Sequence, residues 1–267
     1  MKATADILEE LTSLRRADAA AREASVPFAE VMRRAAAASA PRDFAAALAR
    51  PGRVNVIAEL KRASPSEGMS REDFRPVELA RALQGAGAAA LSVLCEPHRF
   101  LGSEAYLRAV REVVDIPLLY KDFLSTRYQL AEARAAGADA ALLIVAVLDD
   151  GQLRDLLGFA HELGLAALVE THDNEEIGRA VRAGAQIVGV NCRNLRNFST
   201  DVSLLERLVG DIPRPCLRVA ESGMHDAAAI QRARAAGADG FLVGTALMRA
   251  ESPSDRLHEL ANCNFSP

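Results

Sequence analysis

The stretch VNVIAELKRASPSEG, Val54 to Gly68, runs through β-branched and apolar residues, turns charged, and breaks at Ser64, Pro65, Ser66 and Gly68. Glu59 and Lys61 are two apart, so on a continuing strand their side chains share one face. A carboxylate and an ammonium placed there are costly unless they pair or meet a ligand. Five more apolar runs end in the same manner: IPLLYKDF at Lys121 and Asp122, LAALVETHD at Glu170, IVGVNCRNL at Asn191 and Arg193, LRVAESGM at Glu221, Ser222 and Gly223, and GFLVGTAL at Gly244 and Thr245. Two lysines among carboxylates, with no cofactor, suit proton transfers on a carbonyl-containing sugar phosphate. Desolvation and clustered ammoniums lower a lysine pKa, whereas a carboxylate neighbour raises it, so proximity decides which lysine gives up its proton. Arg193 is suited to clamping a second anionic group and Asn191 to orienting a hydroxyl. Ser222-Gly223 and Gly244-Thr245 let backbone N–H groups approach a ligand, with a helix N-terminus after each, as a phosphate site requires.

Those residues need a scaffold that brings strand ends together. The strand candidates are Val54 to Leu60, Ala90 to Leu94, Pro117 to Tyr120, Ala140 to Val145, Ala166 to Val169, Ile187 to Val190, Leu217 to Ala220 and Gly240 to Val243, with amphipathic segments between them. QGAGAAALSVL, RAAGADAALLIV, VRAGAQIVGVN and RAAGADGFLVG are one phrase four times, a helix ending at a left-handed Gly before a buried strand. It marks every second unit. Eight strands with helical crossovers predict an α/β fold, a closed (β/α)8 barrel, whose chemistry sits at the C-terminal strand ends. A doubly wound open sheet is the runner-up, but the charged, proline-bearing turn after the first strand lacks its Gly-rich fingerprint. Residues 1–51 read as an N-terminal helical extension with its own apolar stripe, Ile7, Leu8, Leu11 and Leu14. Residues 52–267 read as the barrel, the whole being one domain.

Composition narrows the function classes. The chain has 267 residues, half of them apolar, and a formal net charge of -4 with basic residues scattered. That gives no footprint for nucleic acid or an anionic membrane, and Arg15-Arg16 and Arg33-Arg34 read as solvated helix faces. No apolar run approaches the ~20 residues of a membrane span, so a soluble, cytoplasmic protein is expected. Cys95, Cys192, Cys216 and Cys263 are far apart and the five histidines lack ligand spacing, so neither metal nor disulfide is expected.

The phrases IAELKRASPSEG, PLLYKDF, ADAALLIVAVL, LVETHDNEE, VGVNCRNLRNF, ESG and GADGFLVGTALM, in this order, resemble indole-3-glycerol-phosphate synthase of tryptophan biosynthesis. The likeness covers nearly the whole chain, including the extension, which in that family covers the barrel mouth. It implies ring closure of 1-(2-carboxyphenylamino)-1-deoxyribulose 5-phosphate, with loss of carbon dioxide and water, to indole-3-glycerol phosphate. It further implies Lys121 as general acid on the ketose oxygen and Glu170 as acid/base of the dehydration, partnered by Glu59. Lys61, Ser64 and Arg193 would hold the carboxylate and phosphate ends, Asn191 and Ser222 the sugar hydroxyls, and Gly223, Gly244 and Thr245 the phosphate. Pro65, Phe100, Phe123, Leu142 and Leu195 match an apolar slot for the anthranilate ring. The resemblance implies no cofactor and leaves room for weak association with neighbouring pathway enzymes. Four positions depart from the family's usual residues: Cys95, Tyr120, Cys192 and Ala220.

Two rivals stand beside this reading. One is another sugar-phosphate barrel enzyme such as the isomerase that makes this substrate, which would favour a carboxylate and a thiol as its acid/base couple. The other is a catalytically idle barrel serving as a binding module.

Overall fold

Apolar runs without alternation suit strands covered on both faces. The computed structural model, which describes residues 3–65, 68–193 and 201–262, places eight such strands in parallel. They are β1 (Asn55–Leu60), β4 (Ala90–Leu94), β5 (Leu118–Lys121), β6 (Ala140–Ile144), β7 (Ala166–Thr171), β8 (Ile187–Val190), β9 (Leu217–Ala220) and β10 (Gly240–Val243). β1 pairs with both β10 and β4, which closes the barrel and excludes the open sheet. β2 (Ala63–Ser64) and β3 (Gly68–Met69) form a small antiparallel hairpin after β1.

Three helices precede the barrel: α1 (Ala3–Ser25), α2 (Phe28–Ala37) and α3 (Phe44–Leu48). The crossovers are α4 (Pro76–Gly85), α5 (Glu104–Arg111), α6 (Arg127–Ala135), α7 (Asp150–Glu162), α8 (Asn174–Ala183), α9 (Val202–Asp211) and α10 (Ala227–Ala235), and α11 (Thr245–Met248) and α12 (Pro253–Ala261) follow β10. Ser103, Thr126, Asp149, Asp173, Asp201 and Asp226 each cap a crossover helix by accepting a backbone N–H of its first turn. At the far ends, Gly87, Gly137, Gly184 and Gly237 of the repeated phrase all have φ between 91° and 100°, and the strands they precede are β4, β6, β8 and β10.

Two apolar layers result. Outward-facing strand residues pack against the helices, while Ile57, Leu119, Leu142, Leu168, Ile187, Val219 and Leu242 fill the interior. Phe44 and Leu48 of α3 join the interior cluster from the N-terminal strand ends, where the Asn55 side-chain amide donates to Leu48 O at 2.6 Å. α2 lies along the barrel's side, its Phe28 ring 6.4 Å from Tyr128 and 6.0 Å from Phe159. α1 reaches the opposite end, and Ile7, Leu8 and Leu11 lie over the C-terminal strand ends. Burying a leucine as fully as Leu11 is worth about 1.5–3 kcal/mol.

Two expectations shift. β5 takes in Lys121 and β7 takes in Glu170 and Thr171, because Lys121 and Glu170 face an internal cavity and the Thr171 hydroxyl donates to Gly189 O, so neither polarity interrupts the backbone ladder. The reading of Arg15-Arg16 as a solvated helix face is wrong for Arg15. That guanidinium is 5 % exposed and donates three hydrogen bonds to the Asp122 carboxylate, at 2.9, 3.1 and 2.7 Å. A charge repeat on a helix does not reveal a carboxylate more than one hundred residues away. None of the described helices is long and apolar enough to cross a membrane.

Candidate functional site

Parallel strands that end together deliver their last side chains to one rim. One cavity there is lined by Glu59, Lys61, Ser64, Pro65, Phe100, Lys121, Phe123, Leu142, Glu170, Asn191, Arg193, Glu221, Ser222, Gly223, Gly244 and Thr245. Every site residue expected from the sequence is therefore in one place, except Leu195, which lies outside the described residues. Asp122 also reaches the cavity, but its carboxylate is taken by Arg15.

The charged centre is Lys121. Its Nζ lies 3.4 Å from Glu170 Oε2 and 3.5 Å from Glu221 Oε2, and its side chain is 14 % exposed. Burial works against the ammonium, but Glu170, Glu221 and Glu59 outweigh it and hold its pKa above the usual value. Burial likewise opposes charge on Glu170, yet Lys121 and His172 hold that carboxyl well below the carboxylate range. Glu221 goes the other way: burial and the neighbouring Glu170 push it up, and the Lys121 charge does not compensate. Room for Glu221 comes from Gly189, where an added Cβ would overlap Glu221 Oε1. Gly189 pairs with Glu170 across the β7–β8 ladder.

Lys61 forms a second cationic point. Its Nζ lies 3.4 Å from Glu59 Oε1, on the shared face that their spacing predicts, and donates to Thr245 Oγ1 at 3.2 Å. Gly244 abuts Glu59 so closely that a Cβ would overlap its Oε1, and Gly223 has φ 77°. The helix after Gly244 is the single turn α11, too short for a macrodipole to be what this corner offers an anion. Ser222 Oγ accepts from Cys192 N at 3.0 Å, tying the β8 and β9 ends together, and Asn191 Oδ1 accepts from Arg193 N at 3.2 Å within the turn after β8.

The apolar side is built by Phe100, Phe123, Pro65 and Leu142 under α1, with the two phenyl rings 6.2 Å apart. Phe100 is held by a residue the sequence reading passed over. Glu96 is fully buried and accepts the backbone N–H of His98, Arg99 and Phe100 at 2.6, 2.7 and 2.8 Å. The same loop is tied to α1 by Arg99–Glu10 at 2.9 Å and His98–Asp18 at 2.8 Å.

His172 was also missed as part of the site, since a lone histidine after a strand carries no ligand spacing. Cys95, Tyr120, Cys192 and Ala220, the four departures, all belong to the outer apolar layer rather than to the cavity.

Comparison with known proteins gives a consistent answer. The family model described as indole-3-glycerol phosphate synthase matches residues 8–260. The chain is 45 % identical over 261 residues to the indole-3-glycerol phosphate synthase of Rhodococcus opacus, covering 98 % of this chain and 97 % of that protein. It is 48 % identical over 255 residues to that of Micrococcus luteus, covering 94 % and 95 %. Among solved structures, thiamine phosphate pyrophosphorylase from Pyrococcus furiosus superposes with a TM-score of 0.60 over 78 % of this chain and 93 % of that one, at 18 % identity, which speaks to the barrel alone. With the match running from the extension through the last helix, the chain belongs to the indole-3-glycerol phosphate synthase family of tryptophan biosynthesis and is a carboxy-lyase.

Proposed function

We propose that this cavity binds 1-(2-carboxyphenylamino)-1-deoxyribulose 5-phosphate and closes its indole ring with the residues gathered around Lys121. The carrying observation is that one ammonium stands between two carboxylates of opposite tendency, 3.4 and 3.5 Å away. Lys121, kept charged, gives its proton to the ketose oxygen as the anthranilate ring carbon forms a bond to the ketose carbon. Carbon dioxide then leaves and its bonding pair restores the ring. In the dehydration Glu170, kept ionised, takes the proton from the carbon beside the ring nitrogen and passes it to the hydroxyl formed from the ketose oxygen, which leaves as water. Glu59 holds Lys61 and assists Glu170.

Binding follows from charge and shape. The phosphate sits against the backbone N–H groups at Gly223, Gly244 and Thr245, with Lys61 beside it. Ser64 and Arg193 meet the end groups, Asn191 and Ser222 the sugar hydroxyls, and the ring lies between Phe100, Phe123, Pro65 and Leu142, with Leu195 contributing on the same side. Lys61, Lys121 and Arg193 offset the substrate's carboxylate and phosphate charges, so no metal is assigned. An isomerase using a thiol is disfavoured because Cys95 and Cys192 lie in the outer layer.

Incubating the purified chain with this substrate and following indole absorbance and fluorescence tests the reading. Conversion that Glu170→Gln lowers by about 10²- to 10⁴-fold supports it. Unimpaired conversion by that variant would remove Glu170 from the chemistry.

A further inference from the structure

His172 lies one residue beyond Thr171 and directly behind Glu170. Its backbone N–H donates to Glu176 Oε2 at 2.8 Å, and its Nδ1 faces the same oxygen at 3.0 Å. The other ring nitrogen, Nε2, lies 3.4 Å from Glu170 Oε1 and is buried without a hydrogen bond. A ring nitrogen facing a carboxylate oxygen is attractive only when it carries hydrogen. Both nitrogens face carboxylates, an arrangement that favours a proton on each and so the imidazolium. Burial opposes that charge, but Glu170 and Glu176 outweigh it and raise the pKa to about 10.

The groups around it complete the picture. Glu170 Oε1 faces His172 and Glu170 Oε2 faces Lys121, so that carboxylate lies between two cations. Glu221 has only Lys121 at ion-pair distance, with His172 acting on it from farther off, and its Oε1 is buried without a hydrogen bond. When two close carboxyls differ in this way, the one with more cations ionises and the other keeps the shared proton.

We propose that His172 is a positioning residue, outside the substrate cavity, whose imidazolium decides which carboxyl beside Lys121 is ionised: Glu170 is the bare base and Glu221 holds the proton. Glu176 on α8 keeps the imidazole oriented and charged, as carboxylate partners orient histidines elsewhere. This rests on the reading of Glu170 as acid/base group, and deepens it. The charges facing His172 are Glu170 from its own strand and Glu176 from α8, with Lys121 of β5 and Glu221 after β9 beyond Glu170.

Three measurements test it. In the wild-type enzyme, ¹⁵N-imidazole NMR across pH should show His172 with both nitrogens protonated well above its ordinary 6.5; titration near 6.5 overturns the proposal. In His172→Gln, loss of the positive charge should move the acid limb of kcat up by about one to three pH units, since a nearby opposite charge shifts a carboxyl by that much. KM should change little. In Glu176→Gln the imidazole loses its charge at lower pH, so the basic limb of kcat should move toward neutrality. Folded variants with the wild-type profile would overturn the proposal, and if His172→Gln does not fold, Glu176→Gln and the wild-type titration decide it. An active Glu170→Gln would instead reject the role given to Glu170, whereas an inactive Glu170→Gln with unmoved limbs in the other variants rejects His172 alone.

Discussion

Arg15 of the first helix and Asp122, the residue after Lys121, form a buried ion pair in which the guanidinium Nε lies 2.9 Å from Asp122 Oδ1. The extension is thereby joined to the strand that carries the central lysine. Burial pushes the Asp122 pKa up, and the Arg15 contacts, with the Phe123 backbone N–H, draw it back only in part. Removing one member of a buried pair leaves the other charge uncompensated. Arg15→Met should therefore destabilise the protein by about 3–5 kcal/mol in urea unfolding. The double variant Arg15→Met with Asp122→Asn should recover part of that loss, because the orphaned charge is gone.

Stability should also depend on pH through His172. Its folded pKa is raised to about 10 from 6.5, so its contribution is fully present below 6.5 and is lost as pH rises through about 10. Denaturant midpoints of wild type between those limits should fall more than those of His172→Gln. Parallel curves would show that the ring is not held charged by its neighbours.

At the phosphate corner, an added methyl on Gly244 meets Glu59 Oε1, while the backbone approach it would obstruct is the one assigned to the anion. Gly244→Ala should lower both kcat and affinity for inorganic phosphate, measured by competition against substrate. An effect on neither would place the phosphate elsewhere.

Glu96 gives a different pattern. Glu96→Gln keeps one acceptor oxygen where two served three N–H groups, and an orphaned buried donor costs about 1–3 kcal/mol. The loop carrying Phe100 should loosen, raising KM for the ring-bearing substrate while competition by inorganic phosphate is unaffected. Equal weakening of both ligands would mean that Glu96 supports the site as a whole.

The barrel was legible because its signals are local. Each repeated Gly sets a helix end, and each apolar run fills one strand, so Gly137 and Ala140–Ile144 need no distant information. The charged tips Glu59, Lys121, Glu170 and Glu221 were legible once strand ends were assumed to converge. What stayed hidden depends on partners far apart in the chain. Arg15 looked solvated because its partner Asp122 is distant in the chain, Glu96 drew no notice because its role is to bind the loop's own backbone, and His172 acquires meaning only from the fold around Glu170 and Glu176. The division of the proton between Glu170 and Glu221 is likewise a property of space, not of spacing.

The central claim is that Lys121 protonates the ketose oxygen from between Glu170 and Glu221. Its most direct test is single-turnover conversion of 1-(2-carboxyphenylamino)-1-deoxyribulose 5-phosphate by Lys121→Met beside wild type, with substrate binding measured separately. The account predicts a folded protein that still binds substrate and turns it over at least about 10²- to 10⁴-fold more slowly. Turnover close to wild type would contradict it.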